Sequence, residues 1–195
     1  MKVTSGLVTL GCVTLGCAAL GFPASLPAAE PVIDNERVTV WDTTSALPPA
    51  QHDYVAVSLF RKGTALFGHK GDIPSKDGER TVVVELKDLA VAPIRNETGF
   101  PPAFPRPRST KLFENDRVVV WNYVWRPGVP TPMHFHDKDA LVVFEATGAL
   151  QSTTPDGKSV VNDYRFGDIR FNRRDRVHTE RLLNGRAQAV ITELK

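Results

Sequence analysis

The stretch from residue 128 to 148 constrains the fold of this chain more than any other. His134 and His136 stand in it with one residue between them. On a β-strand, side chains at i and i+2 share one face, with Cα atoms about 6.6 Å apart, so both imidazoles can reach one metal ion or line one pocket. On a helix the same pair would diverge. The flanking runs 118–125 and 141–144 are rich in β-branched and aromatic residues, which is typical of strands.

The remainder of the chain also predicts strands rather than helices. No long stretch has a sustained period of 3.6 residues. Short β-rich runs alternate with turn signals, such as Thr-Thr-Pro-Asp-Gly at 153–157, where Pro fixes one φ and Gly accepts a positive φ. Closely spaced short strands of this kind predict a nearly all-β, jelly-roll barrel.

The histidine stretch resembles the first motif of the cupin superfamily, in which a Gly and five residues precede His-x-His, and a Glu, six residues and a Gly follow. Gly128 and Gly148 stand at the two glycine positions. Counting back from Gly148 places Leu141 at the Glu position, so the resemblance implies that this anionic metal ligand is missing. Asp139 lies two residues earlier, on the same strand face, and is the candidate to replace it.

The second cupin motif is also matched in its spacing. Gly167 and His178 stand at its glycine and histidine positions, while Arg173 and Asp175 replace its Pro and second Gly, and Leu182 replaces its Asn. The match to both motifs lies within residues 115–195. It implies a cupin-type jelly-roll β-barrel with three of four metal-ligand positions filled.

The resemblance implies that His134, His136 and His178 hold a metal. Three neutral imidazoles with open coordination positions suit a divalent transition metal, namely Fe, Mn, Ni, Cu or Zn. Such a site acts as a Lewis acid or activates water or dioxygen. Metal-bearing cupins include dioxygenases, oxidases, decarboxylases and isomerases, and three-histidine oxygenases occur among them. We therefore expect a small-molecule oxygenase or related oxidoreductase; the alternative is a non-catalytic cupin that binds a ligand, or only assembles, without metal.

Two carboxylates are candidate catalytic residues. Glu180 follows His178 by two residues and so shares its face in a regular strand, where it could orient an imidazole or serve as acid or base. Asp139 is the second candidate, and each is alternatively a surface carboxylate. Nearby arginines would either draw an anionic substrate to the barrel mouth or form a solvated basic loop; they are Arg170, Arg173, Arg174, Arg176 and Arg181.

The N-terminus predicts export. Lys2 is followed by an apolar run at 7–22 and by small residues at 24–29, the pattern of a secretory signal peptide cut after Ala28 or Ala29. An uncleaved membrane anchor is the alternative, although the run is shorter than the roughly 20 residues of a comfortable span. Cleavage would remove both cysteines, which suits an oxidising compartment. We expect a periplasmic or secreted protein with no membrane span after processing.

Composition and missing motifs exclude other classes. The formal net charge of +2 argues against a nucleic-acid binder acting through bulk electrostatics. The chain has no Gly-x-Ser-x-Gly and no dinucleotide fingerprint, so serine hydrolases and Rossmann dehydrogenases are set aside. The expected partners are a small-molecule ligand or substrate and a second copy of the chain in a homodimer.

Two parts of the chain resemble each other. Asn-Glu-Arg-Val-Thr-Val-Trp at 35–41 recurs as Asn-Asp-Arg-Val-Val-Val-Trp at 115–121, and 78–87 resembles 185–195. This indicates an old duplication whose first copy is incomplete and metal-free, since it has no His-x-His; alternatively, any two β-rich segments look alike. We expect the strands of the first copy to extend the sheets of the barrel.

A proline-rich segment separates the two copies. Prolines at 93–107 exclude a central strand or helix, and Phe100 and Phe104 predict an ordered strap lying on the barrel. The predicted organisation is a signal peptide at 1–29, an N-terminal β segment at 30–92, a strap at 93–114 and a cupin barrel at 115–195.

Overall fold

The computed structural model describes residues 30–89, 91–92 and 94–195, and the predicted signal peptide lies outside them. These residues form fourteen β-strands and no α-helix. Among them, accordingly, no helix is long and apolar enough to cross a membrane. The predicted all-β fold is confirmed.

The strands are short, as the turn signals indicate. In the first half they are β1 (Ile33–Asp34), β2 (Val38–Thr43), β3 (Tyr54–Ser58), β4 (Ala65–Gly68) and β5 (Thr81–Leu86). The second half contains β6 (Ser109–Glu114), β7 (Val118–Trp125), β8 (His134–His136), β9 (Asp139–Phe144), β10 (Gly148–Thr153), β11 (Ser159–Tyr164), β12 (Ile169–Asn172), β13 (Arg176–Gly185) and β14 (Ala187–Leu194).

The strands form three antiparallel sheets. The N-terminal sheet has the order β1-β2-β5-β3-β4, the middle sheet β12-β9-β14-β7-β6, and the histidine sheet β11-β10-β13-β8. Strand β9 shows how the middle sheet lies between the other two. Leu141 and Val143 belong to a core shared with the N-terminal sheet, whereas Ala140, Val142 and Phe144 belong to a core on the opposite face.

The core between the N-terminal and middle sheets is built mainly from valine. Every residue of β5 is buried, and so is every residue of β9. Strands covered on both faces read as continuous apolar runs, which explains Val-Val-Val at 82–84 and Leu-Val-Val-Phe at 141–144. Burying each valine or leucine side chain stabilises the fold by about 1.5–3 kcal/mol relative to leaving it in water.

The core between the middle and histidine sheets is aromatic and lies inside the barrel. Trp121, Tyr123 and Trp125 project into it from alternate positions of β7. The proline-rich strap adds Phe104, whose ring stacks on Trp121 with centroids 5.2 Å apart. The strap is thus packed into the barrel rather than only laid over it.

The N-terminal strands do not extend the sheets of the barrel, so that expectation is wrong. They pair with one another, β5 lying between β2 and β3, and form a sheet of their own. The reason is their burial pattern: β3 and β5 are apolar on both faces, so the sheet packs flat on the middle sheet instead of lengthening its edge.

Along the chain, the strands of the histidine sheet occur in the segments that connect the strands of the middle sheet. Strand β8 lies between β7 and β9, β10 and β11 lie between β9 and β12, and β13 lies between β12 and β14. The corresponding connections of the N-terminal sheet, 44–53, 59–64 and 69–80, contain no strand among their described residues.

Candidate metal site

The three predicted histidines meet inside the barrel. Antiparallel pairing of β13 with β8 sets His178 opposite His134, and His136 lies on the same face of β8 as His134. The Nε2 atom of His136 is 3.1 Å from that of His134 and 3.1 Å from that of His178. All three side chains are buried, with 1%, 8% and 8% of His134, His136 and His178 exposed.

Hydrogen bonds behind the rings orient the imidazoles. His134 Nδ1 lies 2.8 Å from the carbonyl oxygen of Pro132, which can only accept, so Nδ1 carries the proton. In the neutral ring the Nε2 lone pair is then directed at the cluster. The Ser152 hydroxyl, which can donate or accept, lies 3.2 Å from His178 Nδ1. Such outer contacts fix the orientation of metal-binding histidines.

Burial keeps the three imidazoles neutral. It lowers the pKa of His134 to about 4, with the Arg106 charge as the second cause. Burial, followed by the charge of Arg176, lowers the pKa of His136 well below its usual value, and burial also lowers the pKa of His178. Neutral imidazole is the form that binds a metal, so no proton need leave at neutral pH.

The donor set fits a divalent transition metal. Two Nε2 atoms 3.1 Å apart, each about 2.1 Å from a common ion, would subtend about 95° at it. All ligand atoms of the cluster lie within 4.8 Å of one another. The three histidines are therefore positioned to bind a metal ion.

Arg106 is part of this cluster, and sequence reasoning missed it. Its Nη1 lies 3.0 Å from His134 Nε2, and its Nη2 donates to Glu180 Oε2 at 3.2 Å. The guanidinium also stacks 4.0 Å from the Tyr123 ring centroid. Since the Nε2 lone pair of His134 cannot serve both Arg106 and a metal, metal binding requires this guanidinium to leave His134. The only hint in the sequence was the strap itself, where Arg106 stands between two prolines.

Glu180 lies beside the histidines as predicted by its spacing from His178. Its Oε2 accepts hydrogen bonds from Arg106 and from Trp125 Nε1, the latter at 3.0 Å, while Oε1 is 4.0 Å from His178 Nε2. Burial alone would raise the pKa of Glu180, but the positive charge of Arg106, together with the indole hydrogen bond of Trp125, outweighs it and lowers the pKa. The carboxylate is thus ionised at neutral pH.

The expected orientations of Leu141 and Asp139 are wrong. Both lie on the face of β9 opposite the cavity: Leu141 is in the valine core, and Asp139 Oδ2 pairs with Arg37 Nη1 at 2.8 Å. Ala140, four residues after His136, faces the barrel instead. Counting back from Gly148 past six residues places the Glu position at Leu141, but the turn at 145–147 is one residue longer than that count assumes. A shift of one residue along a strand moves the side chain to the opposite face.

A cavity of about 310 Å³ opens beside His136 and His178. Its apolar wall includes four aromatic side chains, and its polar wall includes three arginines and one carboxylate. The side chains that line it include Phe104, Trp125, Phe144, Tyr164, Arg106, Arg170, Arg176 and Glu180. Of the predicted arginine cluster only two members reach it. The others lie elsewhere: Arg173 pairs with Glu36, Arg174 donates to the Ala92 carbonyl, and Arg181 is exposed.

Comparison with known proteins gives structural likenesses only. No family model and no curated protein sequence matches the chain. A cupin domain from Bordetella pertussis Tohama I is 29% identical, covering 48% of this chain and 99% of that one, with a TM-score of 0.42. A cupin 2 conserved barrel domain protein from Leptotrichia buccalis is 12% identical, covering 90% of this chain and 92% of that one, with a TM-score of 0.52. The second likeness extends over both halves of the molecule.

Proposed function

Because the chain has the fold of the cupin superfamily and buries three histidines in its barrel, we propose that it is a metal-dependent, small-molecule oxygenase or related oxidoreductase. The observation that carries this proposal is the convergence of three imidazoles, with His136 Nε2 3.1 Å from each of the other two Nε2 atoms, beside a cavity that His136 and His178 line. His134, His136 and His178 would hold Fe, Mn, Ni, Cu or Zn. When bound, such a metal supplies Lewis acidity or the activation of water or dioxygen.

The protein's own groups have separable roles in this proposal. Trp125, Phe144 and Tyr164 form an apolar wall that excludes water from the reacting molecule. Glu180 Oε1 has no hydrogen bond to Arg106 or Trp125, and it is ionised at neutral pH. It is the atom placed to accept a proton from a molecule in the cavity. Asp139 has no such role, because Arg37 holds it on the other face of β9.

The proposed site of action is the periplasm or the outside of the cell. This rests on the apolar run and small-residue segment at 2–29. N-terminal sequencing of the processed protein is expected to give a start near Ala29 or Glu30. Retention of Met1 in the soluble protein would contradict both the cleavage and the compartment.

One observation favours a second function, a ligand-binding cupin without metal. Arg106 already hydrogen-bonds His134 Nε2 and forms an ion pair with Glu180, so these polar groups have partners with no ion present. A histidine cluster satisfied in this way could line a pocket for a ligand that is bound but not transformed.

Metal analysis separates the two functions. We expect tag-free protein, analysed by inductively coupled plasma mass spectrometry, to carry about one transition metal ion per chain. His136→Ala should lose it, whereas His69→Ala, an exposed histidine in the N-terminal half, should not. Protein that is metal-free as purified and gives no calorimetric signal with Fe(II), Mn(II), Ni(II), Cu(II) or Zn(II) would overturn the proposed enzyme.

A further inference from the structure

We propose that the cavity beside the histidines binds a small carboxylate with a flat, apolar body, and that Arg176 and Arg170 hold the carboxylate. The inference rests on the proposed function in one respect: the bound carboxylate is a substrate only if the protein is the proposed enzyme. The binding itself requires only residues that are already in place. Four features of the cavity lead to it: its charge balance, the environment of Arg176, its aromatic wall and its size.

The charged side chains of the cavity are unequal in number. Arg106, Arg170 and Arg176 line it together with a single carboxylate, that of Glu180. Arg106 and Glu180 lie 3.2 Å apart, and Trp125 Nε1 also donates to Glu180. Their charges offset each other, and neither Arg170 nor Arg176 forms an ion pair with any described residue. The cavity therefore has two guanidinium groups without a counter-ion.

Arg176 is the more informative of these two arginines. Its side chain is only partly exposed and lines the cavity. The one hydrogen bond of its guanidinium runs from Nε to the Arg173 carbonyl at 2.6 Å, so both Nη groups lack a partner among the described residues. A guanidinium removed from water without an acceptor is unfavourable, and a carboxylate matches its two N–H groups bidentately.

The position of Arg176 places such an anion next to the histidines. Its Cα pairs with that of His136 across β13 and β8. Arg170, on β12, lines the same cavity, with its guanidinium carbon 5.6 Å from the Tyr164 ring centroid. A carboxylate between the two arginines would extend its body toward His136 and His178.

The wall available to that body is aromatic. Phe144 and Tyr164 stack at 3.8 Å, and Trp125 stacks on Phe144 at 6.1 Å. Such faces suit a flat, apolar group. A volume of about 310 Å³ lies at the lower end of the range for ligand pockets, which favours a small ligand.

The test is calorimetric titration of benzoate, with benzamide as the neutral molecule of the same shape. We expect benzoate to bind both chelator-treated and metal-loaded protein, and benzamide to bind at least tenfold more weakly. Arg176→Gln should weaken benzoate at least tenfold and Arg170→Gln severalfold. Arg181→Gln is the matched control, since it removes an exposed arginine from the same strand, and it should stay within twofold of the parent.

Each outcome decides the inference. Equal affinity for benzoate and benzamide, no binding of benzoate to either form, or an unchanged affinity in a folded Arg176→Gln variant would overturn it. Benzoate binding by a protein that takes up no metal would support it while contradicting the proposed enzyme. Stoichiometric metal binding without benzoate binding would contradict the inference and leave the proposed enzyme supported.

Discussion

The N-terminal sheet and the middle sheet are built alike, yet only one of them faces a histidine cluster. Strands β1, β2, β5, β3 and β4 follow one another in the first sheet as β6, β7, β14, β9 and β12 do in the second. The registers agree as well. Val38 pairs with Leu86 in the N-terminal sheet, and Val118 pairs with Leu194 in the middle sheet.

The same turn precedes the equivalent strands β2 and β7. Asn35 Oδ1 accepts hydrogen bonds from the backbone N–H groups two and three residues later, at 2.8 and 3.0 Å. Asn115 Oδ1 makes the same two bonds at 2.9 and 3.0 Å. The sequence resemblance between 35–41 and 115–121 thus corresponds to a shared local structure, and we infer a duplication.

Each half also donates hydrogen bonds from one arginine to the other half. Arg37 Nη2 donates to the carbonyl of Lys195, at the end of the last strand of the second half. Arg117 Nη2 donates to the carbonyls of Leu86 and Lys87, at the end of the last strand of the first half. Each arginine therefore ties its own half to the opposite half.

This correspondence accounts for Asp139. Its Oδ1 accepts the backbone N–H of Arg174 at 2.8 Å, and Asp53 at the equivalent position accepts that of Lys70 at 3.1 Å. Because the half without a histidine cluster contains the same contact, Asp139 serves the strand connection rather than the metal site.

The two sheets differ in what covers the face that points away from their shared valine core. In the N-terminal sheet the Tyr54 ring fills the space over Gly68, where an added Cβ would lie 2.1 Å from it, and Leu47 and Ala50 pack nearby. Ala140 holds the position equivalent to Tyr54 in the middle sheet and leaves room for the cavity. The three histidines come from β8 and β13 of the histidine sheet, and the N-terminal sheet has no such partner among the described residues.

The largest expected effect concerns the two faces of β9. Leu141→Glu places a carboxylate in the valine core and should destabilise the protein by about 4 kcal/mol or more. Ala140→Glu places it toward the histidines and should raise metal affinity by supplying an anionic ligand. Urea unfolding and metal calorimetry measure the two effects. A folded Leu141→Glu variant with increased metal affinity would show that the strand register is wrong.

The next effect compares the two reciprocal arginines. Arg37 and Asp139 form an ion pair whose side chains are 5% and 3% exposed, so Arg37→Ala should cost about 3–5 kcal/mol by leaving a buried charge unpaired. Arg117 is 35% exposed, and Arg117→Ala should cost about 1 kcal/mol. Asp139→Asn combined with Arg37→Ala should recover part of the loss in urea unfolding. Equal costs for the two arginines would contradict the asymmetry.

A smaller effect concerns the strap, which contributes Arg106 to the histidine cluster. Arg106→Leu should raise metal affinity about tenfold, because the hydrogen bond that competes for His134 Nε2 is gone. Arg108→Leu, in the same segment, is the control. Calorimetry with Ni(II) or Zn(II) measures the change, and a weaker metal affinity in Arg106→Leu would mean that this arginine supports the site.

The smallest effect concerns Glu145, which joins the halves by accepting the Gly63 N–H at 2.8 Å. Burial raises the pKa of Glu145, so the protonated form favours folding; this contribution is complete below the unfolded pKa of about 4.3 and is lost as pH rises through the folded pKa. Glu145→Gln should match the parent near pH 4 and exceed its Tm by at most about 3 °C at pH 7. Scanning calorimetry at both pH values tests this; a variant less stable at pH 7 would refute it.

The sequence by itself determined the fold class and the three histidines. His-x-His has the strand period of two, so local geometry was enough to place His134 and His136 on one face. His178 was matched to a third ligand position only by its resemblance to the second cupin motif. The β-branched runs likewise predicted strands, although their burial on both faces became clear only from the packing of the sheets.

Only the tertiary structure decided what surrounds those histidines. Arg106 reaches His134 across 28 residues of sequence, because the strap enters the barrel between sheets. The face of β9 that meets the cavity depended on one extra residue in the turn at 145–147, and a strand reverses its faces with every residue. Spacing within a strand is fixed by covalent geometry, whereas contacts between distant segments are set by how whole sheets pack, which no local pattern encodes.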